Sequence, residues 1–280
     1  MKANKVFLSQ TPEFWANVKL ISQKVGYSEK GKSKVKSPTI EEIEKVYESL
    51  TLDCSRIILL GTLTPFGQLL IDYFVYRAEI LNEHVQKNLM NKNQAKVLFT
   101  SLKRELKPKC PIPMNKQKGQ KKGPAYFTGM INMLIEANSK GHKCDYDPKE
   151  LTSFTKNNFP VRSLSRRIDG CFPGVKNPIA IWEIKEYYST TSFGSRIADG
   201  IYETLLDGYE LNEIRDHLSI NTRHYLMVDA YDTWWDKGRS YLCRICDMLH
   251  MGLLTEAIFG REIIDRIPKI VKEWINDVRS

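Results

Sequence analysis

The sequence predicts an α/β fold of the α+β kind: a central mixed β-sheet flanked by helices, with a helical module in front of it. Three observations carry this expectation. Helical periodicity with capping signals fills the first third, a run rich in lysine, proline and glycine follows, and from Pro124 onward strands and helices alternate. The expected division is residues 1–123 for the helical module and basic loop, and residues 124–280 for the sheet-bearing core.

The helical module opens with an amphipathic piece, Phe14 to Val25, followed by a lysine-rich loop through Lys30, Lys32, Lys34 and Lys36. Thr39 with Glu42 three residues later forms a capping box, and Ile40, Ile43, Val46, Tyr47 and Leu50 supply the apolar stripe behind it. A second helix starts after Thr64, where Pro65 suits the first turn and Leu69, Leu70, Tyr73, Phe74, Ala78 and Leu81 keep the period. From Lys103 to Lys122 eight cations (Lys103, Arg104, Lys107, Lys109, Lys116, Lys118, Lys121 and Lys122) face one acid, Glu105. Pro108, Pro111, Pro113, Gly119 and Gly123 argue against a regular element there. The stretch reads either as a solvated connection or as a strand or loop that neutralises phosphates, with Lys118, Lys121 and Lys122 as candidates.

The core begins with a helix through Leu134 and Glu136. Arg166–Gly170 and Ile179–Tyr187 are strand candidates, and Phe172-Pro173-Gly174-Val175 between them suits a type II turn, predicting a hairpin. The helix near Ser192–Leu206 buries Ile197, Ile201 and Leu205 and exposes Arg196, Asp199, Glu203 and Asp207. The strand-like His224–Ala230 follows it.

Composition narrows the class. Hydrophobic and charged shares of 42% and 27% are ordinary for a folded protein. The N-terminal stretch lacks the apolar core of a signal peptide, and Ile57–Ile71 is interrupted by Gly61, Pro65 and Gly67, so a cytoplasmic protein without a membrane span is expected. Six cysteines in 280 residues fit reduced thiols. Cys243-x-x-Cys246 lacks a second ligand pair and is flanked by Leu242, Ile245 and Leu249 at helical spacing, which makes both core cysteines. A net charge of +9 favours an acidic partner, nucleic acid first.

Asp169 followed by Glu183-Ile184-Lys185 is the pattern that carries chemistry. Alternation along a strand places Glu183 and Lys185 on one face about 6–7 Å apart, and the hairpin returns that strand beside Asp169. Acid-x-Lys also occurs at Glu105–Lys107 and Asp147–Lys149, but the first lies in the basic stretch and the second contains Pro148. Only Glu183 and Lys185 follow a run, Ile179-Ala180-Ile181-Trp182, that is apolar on both faces and reads as a central strand. Two carboxylates and the Ile184 carbonyl are hard oxygen donors of the kind Mg²⁺ takes, and Lys185 would stand beside a phosphate to orient or deprotonate water.

Arg167-Ile168-Asp169-Gly170, the turn and Trp182-Glu183-Ile184-Lys185 resemble the active-site signature of the PD-(D/E)XK nuclease superfamily, most closely its type II restriction endonucleases. The resemblance covers Tyr126 to Ala230; Ile168 stands where the family name has proline. It implies a restriction-endonuclease-like core at residues 124–280, Mg²⁺-dependent site-specific cleavage of double-stranded DNA and a homodimer for palindromic targets, with the helical module and basic loop of residues 1–123 as the expected DNA-recognition region. A restriction role also implies a cognate DNA methyltransferase in the host. Members often bring an acid from the helix before the first core strand, and Glu136 is the match here. Arg166, Arg167 and Arg196 are candidate DNA contacts, with pairing to acids as the alternative for the first two; Arg196, Asp199 and Glu203 share a helix face that is either a solvated, charge-paired surface or one that supports the catalytic residues or touches DNA. A structure-specific or repair nuclease, or a DNA-binding protein with a decayed core, are the competing readings.

Overall fold

The computed structural model describes the backbone of residues 1–8, 10–29, 31–117, 120–188 and 194–279, and their side chains apart from positions 116, 117, 120–122, 196 and 279. After α1 (Lys5–Leu8), three threonines set the helix starts of the N-terminal region. Thr11 accepts from the Phe14 amide ahead of α2 (Pro12–Val25), and Thr39 with Glu42 completes the expected capping box of α3 (Ile40–Ser49). A small hairpin, β1 (Ile58–Leu59) with β2 (Thr62–Leu63), leads to Thr64, which caps α4 (Pro65–Glu79) through the Gly67 amide. The helix continues through a π-helical turn, Ile80–Val85, into α5 (Gln86–Asn88). Phe14, Trp15, Val18, Ile43, Tyr47 and Phe74 close one core beneath these helices.

The basic stretch is more ordered than its sequence suggests. Lys103, Arg104 and Glu105 lie in the last turns of α6 (Lys92–Leu106), and an antiparallel ribbon, β3 (Met114–Gln117) with β4 (Gln120–Pro124), stands where an irregular loop was expected. The breakers sit at its boundaries: Pro111 and Pro113 precede β3, while Gly123 and Pro124 end β4. Through Ala95, Phe99 and Leu102, α6 shares a core with Phe127 and Met130 of α7 (Tyr126–Asn138).

A second ribbon, β5 (Ser153–Lys156) with β6 (Phe159–Ser163), precedes β7 (Gly170–Phe172), β8 (Ala180–Glu186), α8 (Ser195–Leu218) and β9 (Arg223–Asp229). The chain ends with α9 (Arg239–His250), β10 (Glu256–Phe259) and α10 (Ile263–Arg279). The sheet order is β10-β9-β8-β7, with β8, β9 and β10 parallel and β7 antiparallel to β8, a mixed sheet in which β8 is internal. Helix α8 makes the long crossover that a parallel pair requires.

Alternation along β8 decides which residues meet which helix. Ala180 and Trp182 face α7 and α10, where the Trp182 ring stacks on Trp274 with centroids 5.4 Å apart and planes 6° from parallel. Ile181 faces the other way, onto Leu211 and Ile214 of α8, and Glu183 and Lys185 follow it on that face.

Three local expectations change. Arg166–Asp169 is an irregular run rather than a strand, because Ser165 and Arg166 are bonded to acids of α8 instead of to a neighbouring strand. The β7–β8 connection runs through residues 173–179 rather than a four-residue turn, since the Ser153 amide and carbonyl bond to Val175 and Asn177 within it. Helix α8 extends past Leu206 to Leu218, its later turns burying Leu211 and Ile214. Cys243 and Cys246 are fully buried in α9, as their apolar neighbours implied. Among the described residues no helix is long and apolar enough to cross a membrane.

Candidate active site

The site exists because β8 outruns β7. Strand β7 pairs only with Ala180–Trp182, so from Glu183 onward that edge of β8 has no strand beside it among the described residues. Asp169, the residue before β7, fills the start of the gap. Its Oδ2 accepts the Ile184 amide at 2.7 Å, and its own amide donates to Glu183 Oε1 at 3.2 Å. The amide and carbonyl of a strand residue face the same edge, which turns the Ile184 carbonyl toward Asp169 as well. Gly170 is required at the next position: a Cβ there would lie 2.1 Å from the Trp182 ring.

Glu183 is fully buried and Lys185 nearly so. Lys185 Nζ donates to Glu183 Oε2 at 2.8 Å and to Glu203 Oε2 of α8 at 3.1 Å. Gly200 of α8 packs closely on the lysine; a Cβ there would stand 3.0 Å from the Tyr187 hydroxyl and 3.2 Å from the Lys185 Cδ and Cε atoms. Arg166 lies 3.0 Å from Glu183 Oε1, 2.6 Å from Asp207 Oδ2 and 3.3 Å from Glu203 Oε2. It is thus engaged with three acids in the structure.

These charges perturb one another. Burial, then the charge of Glu183, pushes the Asp169 carboxyl up to about 6. Burial acts on Glu183 in the same sense, but Lys185 and Arg166 outweigh it and hold its carboxyl below the usual carboxylate range. Burial opposes the Lys185 ammonium, yet Glu183 and Asp169 hold it above the ordinary lysine value. Asp207 is pushed up to about 7, chiefly by burial, against the pull of Arg166.

A cavity of about 400 Å³ opens along the free edge of β8. Its wall carries Asp169, Glu186, Asp199 and Glu203 against Arg166 and Lys185, with Glu183 directly bonded behind them. Among the described residues these five acids less two cations leave three formal negative charges, the balance that a hard divalent cation would relieve. Asp169, Glu183 and the Ile184 carbonyl are oxygen donors suited to Mg²⁺ in chemical type. Among the described residues no group of three or more His, Cys, Asp or Glu side chains is drawn together closely enough to form a preset metal cage.

Asp169, Glu183, Ile184 and Lys185 are therefore brought together, whereas Glu136 is not. Its Oε2 accepts the Lys109 amide at 2.9 Å, and it also bonds the Cys110 thiol. Thr128, in the first turn of α7, is the residue of that helix at the cavity; Glu136 lies eight residues on, about 12 Å further along the axis. Instead Glu186 fills this side. Its Oε2 accepts the Thr128 amide and hydroxyl at 3.0 Å each, and Asn115 of β3 approaches its Oε1 at 3.4 Å. Burial raises the Glu186 carboxyl above its ordinary value.

Arg167 is exposed. Lys118 lies outside the described residues, as do the side chains of Lys121, Lys122 and Arg196. The basic ribbon is nonetheless rooted at the cavity, since Asn115 near its start and Ala125 just past its end both line the wall. Of the other acid-x-Lys tripeptides, Glu105–Lys107 ends α6 and Asp147–Lys149 lies outside helices and strands.

Two acids of α8, Asp207 and Glu210, are what the sequence reading missed. Asp207 is fully buried rather than exposed, and Glu210 is buried against Ser165, whose hydroxyl it accepts at 2.6 Å. Their signal is a stripe, Asp199, Glu203, Asp207 and Glu210 at spacings of four, four and three, opposite Arg162 and Arg166.

Residues 1–84 match the model of a family described as Domain of unknown function (DUF7690), and residues 90–274 that of Domain of unknown function (DUF7687). No curated protein and no solved structure matches the chain. The two family matches meet between residues 84 and 90, ahead of the division expected at 123/124 and just before α6 joins the core of α7. The second match takes in more than half of the chain and the whole cavity wall, and the chain belongs to the DUF7687 family.

Proposed function

We propose that this protein is a Mg²⁺-dependent endonuclease of the PD-(D/E)XK kind that hydrolyses phosphodiester bonds in double-stranded DNA, with site-specific cleavage in the manner of a type II restriction enzyme. One observation carries the reading: Asp169 and the Glu183-x-Lys185 pair meet at the open edge of an internal strand, with Lys185 Nζ 2.8 Å from Glu183. The mixed sheet with β8 inside it is compatible with a restriction-endonuclease-like core. The net charge of +9 and the basic ribbon rooted at the cavity supply attraction for a polyanion.

In this reading Asp169 and Glu183 hold the cation, aided by the Ile184 carbonyl. Bound Mg²⁺ would activate a water and neutralise charge on the phosphate. Lys185 then serves as the positive group beside the phosphate; its high proton affinity in the present network suits it to orienting water and countering transition-state charge rather than to removing a proton. Glu203 and Glu183 fix its ammonium between them. The acids described at the cavity wall would repel a phosphate, so cation and substrate belong together in this reading. A homodimer would present two such sites to the two strands of a palindrome.

The test is incubation with a long DNA of known sequence in Mg²⁺, followed by mapping of the ends. Discrete fragments from unbranched duplex support restriction-type cleavage. Cutting confined to branched or nicked substrates points to a structure-specific nuclease. Binding without cleavage by the intact Asp169, Glu183 and Lys185 would overturn the enzymatic reading in favour of a DNA-binding protein.

A further inference from the structure

Both oxygens of Glu183 are engaged by donors or cations. Oε1 receives the Asp169 amide at 3.2 Å and lies 3.0 Å from Arg166 Nη1, while Oε2 receives Lys185 Nζ at 2.8 Å and Arg166 Nη2 at 3.3 Å. The guanidinium thus meets both oxygens, hydrogen-bonding Oε2 through Nη2 and lying against Oε1 as an ion pair. If Glu183 is to hold a divalent cation, one donor must leave. The Asp169 amide is fixed in the backbone, and Lys185 is buried and shared with Glu203. Arg166, partly exposed and on an irregular segment, is the donor able to move.

It also has somewhere to go. Asp207 is fully buried; its Oδ2 already lies 2.6 Å from Arg166, and its Oδ1 is a buried acceptor with no hydrogen-bond partner among the described residues. A buried carboxylate oxygen without a partner is costly. A small shift of the guanidinium would exchange its contacts with Glu183 for a second bond to Asp207 and satisfy that oxygen.

We propose that Arg166 is a positioning residue that acts as the resident counter-cation of the site: it neutralises Glu183 until a divalent cation arrives and then transfers to Asp207. The proposal rests on the divalent-cation reading above and adds what that reading lacks, a route by which Glu183 becomes free. Arg166 and Asp207 thereby set how tightly the cation is held without touching it.

Mn²⁺ titrated into the DNA-free protein at neutral pH, with the free ion followed by electron paramagnetic resonance, tests this without reference to activity. Arg166→Met should tighten binding by roughly tenfold, the scale of one partly buried charge interaction, and Asp207→Asn should weaken it by a similar factor. The decisive comparison is the double variant. With the arginine gone Asp207 has nothing to receive, so Arg166→Met with Asp207→Asn should bind as tightly as Arg166→Met alone. If Arg166→Met alone folds poorly, the double variant, which removes the buried pair together, is compared with the wild type instead and should bind roughly tenfold more tightly; equal or weaker binding would overturn the transfer. Persistence of the Asp207→Asn loss in the Arg166→Met background would mean that Asp207 acts only through its charge, and would overturn the transfer. Unchanged or weaker binding by Arg166→Met would overturn it too. If the wild type binds no Mn²⁺, or binds it equally well as Asp169→Ala, the divalent-cation reading falls and this inference with it.

Discussion

Asp169→Asn separates the stability of the fold from the chemistry of the site. The amide side chain has the same shape and can still accept the Ile184 amide through its oxygen, but it carries no charge next to Glu183. Burial and Glu183 raise the Asp169 carboxyl from its ordinary 3.8 to about 6. The folded state therefore binds more protons than the unfolded state between about pH 4 and pH 6, and stability falls as pH rises through that window. At about 1.4 kcal/mol per pH unit, the ionised Asp169 costs up to about 3 kcal/mol above pH 6 and almost nothing below pH 4. Asp169→Asn should accordingly be more stable than the wild type by as much as that amount at pH 8, with the difference vanishing toward pH 4, while DNA cleavage is abolished. Denaturant unfolding at several pH values, without divalent cations, measures the first effect, and a plasmid assay in Mg²⁺ the second. Equal or lower stability of the variant at pH 8 would refute the reasoning, because the negative charge would then be already compensated and the cavity would have no deficit for a cation to relieve.

Glu183→Ala should eliminate cleavage while leaving DNA binding measurable, since the basic surface is untouched; comparable cutting by this variant in saturating Mg²⁺ would remove Glu183 from the site. Chelation by EDTA should stop turnover, and Ca²⁺ should restore binding without efficient cleavage because its looser geometry activates water poorly; undiminished cutting in EDTA counts against a required cation. Gly170→Ala drives a methyl group to within 2.1 Å of the Trp182 ring, so it should destabilise the fold by about 1–3 kcal/mol or more and impair cleavage through Asp169; a stable, fully active variant would contradict the packing described. Replacing Lys118, Lys121 and Lys122 by Ala should weaken binding to target and non-target DNA alike and lower the slope of log K against log salt by about 2–3; an unchanged slope would assign the phosphate contacts elsewhere.

How far the sequence could be read depended on whether a feature was local. The Thr39–Glu42 capping box and the Thr64-Pro65 helix start need only a few consecutive residues, and both appear as expected. Ile179–Trp182 announced an internal strand because both of its faces are apolar, and β8 does lie between two neighbours. Strand β10 gave no comparable signal. Its four residues, Glu256–Phe259, are too few to show alternation, and the buried Glu256 that opens it is tolerable because Arg266 of α10 lies 2.6 Å from its Oε1. The Pro- and Gly-rich basic stretch misled in the opposite sense, since its breakers bound a ribbon instead of preventing one.

The site was legible only along the strand. Asp169, Glu183 and Lys185 follow from pleating and a hairpin, which are short-range geometry, but the partners of Lys185 and Arg166 come from α8 across a crossover. An acid every three or four residues on a helix is ordinarily a solvated stripe, and Asp199, Glu203, Asp207 and Glu210 look like one until Arg162, Ser165 and Arg166 are placed against them. The same distinction explains Glu136. In sequence it stands near the end of the helix preceding the sheet, but the cavity meets that helix at Thr128 in its first turn, and the carboxylate reaching it there is Glu186, three residues beyond Glu183 on β8 itself. A strand that runs past its neighbour places Glu183 and Glu186 on opposite faces of one free edge. The cavity at that edge can thus draw acids from both sides of the sheet, and an acid lent by the preceding helix is not needed to give it its charge.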